Sequence, residues 1–78
     1  MELIKLIWDF RGPDAAAIAS HHAKHLTEFI KMEQIPNSRS GTESISEMHQ
    51  IAFMITEKLR MQEMREKLKP HRGQLYSN

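Results

Sequence analysis

From Glu2 to Phe10 the chain alternates, with Ile4, Leu6, Trp8 and Phe10 on one side and Leu3, Lys5, Ile7 and Asp9 on the other. A two-residue period with one uniformly apolar side marks a strand laid against a core, since a helix would scatter those residues around its axis. The chain therefore opens on a strand with one apolar face and one mixed face. Gly12-Pro13-Asp14 then breaks the strand, presets φ for a first helical turn and supplies an acid for the positive end of a helix dipole. A helix from Pro13 to Met32 is expected. It gathers Ala15, Ile18, Ala19, His22, Leu26, Phe29 and Ile30 into one apolar arc, with Lys24, Thr27 and Lys31 opposite.

Ile35-Pro36-Asn37-Ser38-Arg39-Ser40-Gly41 has the composition of a loop. Between Ile45 and Leu59 a helical and a two-residue period both fit. The run Ile51-Ala52-Phe53-Met54-Ile55-Thr56, apolar on both faces and bounded by charge, favours a buried strand over His49 to Thr56. A second helix follows from Leu59 to Lys69 with Met61, Met64 and Leu68 inward, and Pro70 stops it. Short strands near Glu43 to Met48 and Gln74 to Ser77 complete the order β-α-β-β-α-β. That order describes one α+β domain over residues 1–78, a ferredoxin-like sandwich with an antiparallel sheet and two helices on one face. The rival architecture is an all-helical hairpin behind one N-terminal strand.

The chain has 78 residues, and at that size only about 60% of the unfolded surface is buried, so self-association is expected. Eleven basic and ten acidic residues give a formal charge of +1, which points to no polyanionic partner. Residues 57 to 78 are mildly basic, with six Lys and Arg against three Glu. The stretch Lys58, Arg60, Arg65, Lys67, Lys69, His71 and Arg72 is interleaved with Glu57, Glu63 and Glu66 and lacks aromatic companions. It reads as a charged helix face, and no nucleic-acid partner is expected. Without cysteine, disulfides and thiolate sites are excluded. The apolar opening is broken by Lys5 and ended by Asp9 and Arg11, too short and too charged for a signal peptide or a membrane span. A cytoplasmic protein with no membrane partner is the expectation.

Several segments together carry a resemblance: Ile7-Trp8-Asp9-Phe10-Arg11-Gly12-Pro13, His22-Ala23-Lys24-His25-Leu26, the apolar strand after His49, and Leu68-Lys69-Pro70-His71-Arg72-Gly73. With them the chain resembles short uncharacterised bacterial proteins similar in layout to the dimeric α/β-barrel group of ferredoxin-like domains. The resemblance implies a homodimer paired sheet to sheet. That group includes monooxygenases, isomerases, haem-degrading enzymes and plain ligand-binding modules, and its catalytic residues differ between families, so it assigns none here.

Three histidines crowd into Ser20-His21-His22-Ala23-Lys24-His25-Leu26, and helical geometry divides them. His21 and His25, four residues apart, share a flank with Asp14 and Glu28, half of a site for a divalent metal. Asp14, Glu28, His49 or a partner chain would have to complete it; otherwise the pair is a solvated polar flank. His22 falls inside the apolar arc. It is either a core histidine bonded to a neighbour or a pocket residue able to act as a base or ligand contact, with Asp9 and Arg11 as polar company or as a surface ion pair. With Ile4, Leu6, Trp8 and Phe10 under the helices, Leu3, Lys5, Ile7 and Asp9 face the other side, and Gln50, Ala52 and Met54 are placed there too. A two-fold partner covering that mixed face would enclose a cavity for a small molecule, lined by Lys5, Asp9 and Gln50, with His22 and His49 as further ligand contacts. An enzyme built on the same cavity would draw its acid or base from His22, His49 or Asp9. Met48, Met54, Met61 and Met64 are expected in the core.

Overall fold

The computed structural model describes residues 1–77, and the chain forms a four-stranded antiparallel sheet with two helices on one face. Strand β1 spans Leu3–Arg11, helix α1 Ala15–Met32, β2 Arg39–Ser46 and β3 His49–Glu57. A 3₁₀ turn over Lys58–Arg60 leads into α2, Met61–Leu68, and β4 spans Arg72–Tyr76. The order across the sheet is β2-β3-β1-β4, so the strand that the alternation marked lies in its interior. The expected β-α-β-β-α-β sandwich is the observed one, and the all-helical alternative is excluded.

Opposed residues of antiparallel strands point to the same side, so the pairing assigns every face. Ile4, Leu6, Trp8 and Phe10 oppose Thr56, Met54, Ala52 and Gln50. These point toward the helices, where Ile4, Leu6, Trp8, Ala52 and Met54 pack with Ala23, Leu26, Ile35 and Met64 to form the core. On α1 the small residues Ala15, Ala19 and Ala23 are buried at four-residue intervals and let the helix lie close against the sheet. Ile18, placed in the same arc by the helical projection, is 49% exposed. The projection is wider than the face the sheet covers.

The ends of α1 show why it starts and stops where it does. Gly12, at φ 113°, turns the chain out of β1 where a side chain would be strained, and its N–H reaches the Met48 carbonyl in the β2–β3 turn, 2.8 Å away. At the other end Gln34 adopts the left-handed conformation; its N–H bonds the Lys31 carbonyl, and the Ile35 N–H bonds the Ile30 carbonyl. That pair of bonds is a Schellman motif, closed by apolar Ile35 over Ile30.

Several boundaries differ from expectation. Strand β2 begins at Arg39, inside the segment whose composition suggests a loop, and ends before Met48. It is held by pairing with β3, from Arg39 opposite Ile55 to Ser46 opposite His49, with a bulge between Ser44 and Ser46. Strand β4 begins at Arg72, two residues early, because its register on β1 opposes Arg72 to Ile7. Met54 and Met64 are fully buried and Met61 packs at the margin, but Met48 sits in the turn with half its surface exposed.

Candidate functional site

On the sheet face turned away from the helices, titratable groups from all four strands converge. Its β1 residues are Leu3, Lys5, Ile7 and Asp9. β3 contributes His49, Ile51, Phe53 and Ile55, β4 contributes Arg72, Gln74 and Tyr76, and β2 contributes Arg39, Gly41 and Glu43. Gln50, Ala52 and Met54 are not on it. The expectation that they were had the wrong phase, because β3 is apolar on both sides and only its pairing with β1 says which side is which. Gln50 instead donates from Nε2 to Ser44 Oγ at 2.9 Å and to the Ser46 carbonyl at 3.0 Å, bracing the β2–β3 turn.

Near the C-terminal end of β1, Asp9 is bound from two sides. Arg72 Nε donates to its Oδ2 at 2.9 Å and Arg72 Nη2 to its Oδ1 at 3.1 Å, while His49 Nε2 lies 2.7 Å from Oδ1. The Arg72 hydrogen bonds, opposed by partial burial and assisted by His49 and by the guanidinium charge, hold the Asp9 carboxyl far below the usual carboxylate range. An ionised carboxylate can only accept, so the proton between the two groups belongs to His49 Nε2. Its other ring nitrogen, Nδ1, makes no hydrogen bond among the described residues. The carboxylate thus fixes the orientation of the ring and, in the neutral imidazole, its tautomer, which leaves Nδ1 as the acceptor.

Beside this cluster Lys5 is buried and bonded to Glu43, with its ammonium 4.8 Å from the centre of the Phe53 ring. Gly41 makes that arrangement possible. A Cβ there would stand 2.9 Å from Phe53 Cζ, so the ring lies where a side chain on β2 would be. Arg39 Nη2 donates to the Tyr76 hydroxyl at 2.7 Å across the open face. Ile7, Ile51 and Ile55 on this face are at most 4% exposed although no helix covers them. Their cover comes from the charged and aromatic side chains of the face itself.

Of the residues singled out from sequence, Lys5, Asp9 and His49 come together here. His22 does not: it lies on the helix side, its ring centre 4.9 Å from that of Trp8 and 5.6 Å from that of Phe10. Its buried Nε2 has no hydrogen-bond partner, and burial, with the neighbouring His25, His71 and His21, lowers its pKa. Asp9 and Arg11 are not its company. His21 and His25 stand together on the exposed flank of α1, ring centres 4.4 Å apart, but among the described residues no third His, Asp or Glu joins them. His49, one of the ligands expected to complete them, is bound to Asp9 on the other side of the sheet.

Arg72, Glu43 and Phe53 escaped the sequence reading. Arg72, Gln74 and Tyr76 alternate as a strand face does, but in sequence Arg72 continues the basic run of a helix that ends before it. Among the described residues no helix is long and apolar enough to cross a membrane. Comparison with protein-family models, with curated proteins and with solved structures returns no significant match.

Proposed function

We propose that the open sheet face is a small-molecule binding surface, paired with the same face of a second copy so that the ligand lies between two sheets. The observation that carries this reading is the Asp9–His49–Arg72 cluster standing beside Lys5 and Glu43 over an apolar floor. Such groups are positioned before any ligand arrives, which reduces the ordering cost of binding. Because charged side chains already stand over Ile7, Ile51 and Ile55, two such faces cannot mate dry. Paired, they leave a polar space between them, to which a two-fold axis brings the clusters of both copies.

Sedimentation equilibrium tests the pairing: a species of twice 9.1 kDa is expected at micromolar concentration, reverting to a single chain in Phe53→Glu. Enclosure is read separately. The His49 Nε2 proton should remain visible by NMR at neutral pH in the wild type and be lost to exchange in that variant. A single-chain mass at every concentration would remove the two-sheet cavity.

The Asp9–His49 pair also favours a second reading, an enzyme in which His49 Nδ1 takes a proton from substrate while Asp9 holds the ring. Imidazole ¹⁵N shifts test its premise. They should report the Nε2–H tautomer in the wild type and a mixture in Asp9→Asn, and an unchanged tautomer in the variant would remove the role given to Asp9.

A further inference from the structure

On the helix-covered side of the sheet, between α2, β1 and the first residues of β4, lies a cavity of about 250 Å³. Ile4 and Leu6 form its floor and Met61 a wall, and Gly73 faces it without a side chain. A Cβ on Gly73 would come within 3.3 Å of Leu6 Cδ2 and 3.6 Å of Ile4 Cδ1, so these side chains pack against the bare backbone of Gly73, and a side chain there would push them into the hollow. Two donors stand at its rim. Arg65 forms no ion pair or hydrogen bond among the described residues, whereas Arg60 and Lys67 on the same stretch are paired with Glu63. His71 accepts the Asp9 N–H at Nδ1, 2.9 Å away, so its ring proton sits on Nε2, which has no partner among the described residues.

We propose that this cavity binds a small apolar carboxylate, with the hydrocarbon body on Ile4, Leu6 and Met61 and the carboxylate on Arg65 and the His71 Nε2–H. An apolar floor beneath an unpaired guanidinium selects for both parts at once. Guanidinium and carboxylate match in charge and planar geometry, and an anion without an apolar body would leave the floor unfilled. The volume lies just below the roughly 300 Å³ at which drug-sized sites begin, which limits the ligand to a single ring or a short branched chain. This site is independent of the reading given to the open face. Two residues join the two sites: Arg72 lines the cavity while its side chain holds the Asp9 carboxylate, and His71 accepts the Asp9 N–H.

Titrations followed by ¹⁵N–¹H spectra of the full chain test the proposal with three probes: benzoate, its neutral counterpart benzamide, and inorganic phosphate. Benzoate should shift the amides of residues 61–65 and 71–73 saturably, with a Kd of about 0.1 to 10 mM as its few heavy atoms permit. Benzamide and phosphate should bind about tenfold more weakly or not at all, the loss of one charge-assisted pair. Arg65→Gln, on the exposed side of α2, should lower benzoate affinity about tenfold and leave benzamide unchanged. Gly73→Val should abolish both; if valine unfolds the chain, Gly73→Ala should weaken both. Equal binding of benzoate and benzamide, insensitivity to Arg65→Gln, or no saturable shift by about 20 mM benzoate would each overturn the proposal.

Discussion

Asp9 sits on β1 between Trp8 and Phe10, whose rings lie beside His22 on the other side of the sheet, yet Asp9 and His22 respond to acid for opposite reasons. Asp9 is held ionised by partners, so its folded-state pKa lies below the unfolded value of about 3.9. Its contribution is whole above that pH and is lost as pH falls further. His22 is held neutral by burial, so its folded-state pKa lies below the unfolded value of about 6.5. Nothing is lost above that value; as pH falls below it the unfolded chain takes up a proton that the folded chain resists, and stability declines. Thermal unfolding from pH 8 to 3 should therefore show an early decline that flattens in His22→Leu and a later one that flattens in Asp9→Asn. His22→Leu should also stabilise the protein at neutral pH by about 1 kcal/mol, since it removes a buried nitrogen with no partner while keeping apolar contact with Trp8 and Phe10. A lower denaturation midpoint in that variant would show that His22 is bonded in solution. At this scale the sequence was legible in part. Lys5, Asp9 and His49 were recognisable as polar groups in a sheet, because polar residues inside apolar runs stand out. Their grouping was not, because it depends on which residue of β3 opposes which residue of β1.

Helix α1 stops without a glycine. Gln34 takes the left-handed position of its Schellman motif, a conformation that costs an ordinary residue roughly 1 kcal/mol and glycine almost nothing. Gln34 is exposed, so Gln34→Gly should raise stability by about 0.5 to 1 kcal/mol, read as a higher urea midpoint at unchanged slope. A loss would mean that the gain in unfolded-chain freedom outweighs the relieved strain. Both helices and β1 were readable from periodicity and breakers, whereas β3, where two periods fit, was readable only from its dense apolar run. The edge strands were harder. Arg39-Ser40-Gly41 has turn composition and becomes strand only because β3 offers it partners and the Phe53 ring fills the place of the absent Gly41 side chain. Strand structure conferred by a neighbour leaves little trace in the strand's own residues.

Across the whole molecule, the sheet ties together the most distant parts of the chain. β1 pairs with β3 some fifty residues on and with β4 about seventy residues on, as Lys5 opposes both Ile55 and Gln74. Topology of this kind slows folding, so refolding is expected on a millisecond-to-second scale, not in microseconds. The single tryptophan reports it directly. Trp8 is 3% exposed in the core, its Nε1 donates to the Leu68 carbonyl at 3.1 Å, and its fluorescence should change in one stopped-flow phase. A complete change within the instrument dead time would contradict the expectation.

The interior place of β1 has a further consequence during translation. The most apolar strand emerges first, and its neighbour on one side is not complete until residue 57, on the other until residue 76. At ordinary synthesis rates the nascent chain carries that segment unpaired for several seconds. Lys5 and Asp9, set among its apolar residues, and Arg11 at its end are then its protection against sticking to other chains, before Lys5 and Asp9 take up Glu43, His49 and Arg72 as partners.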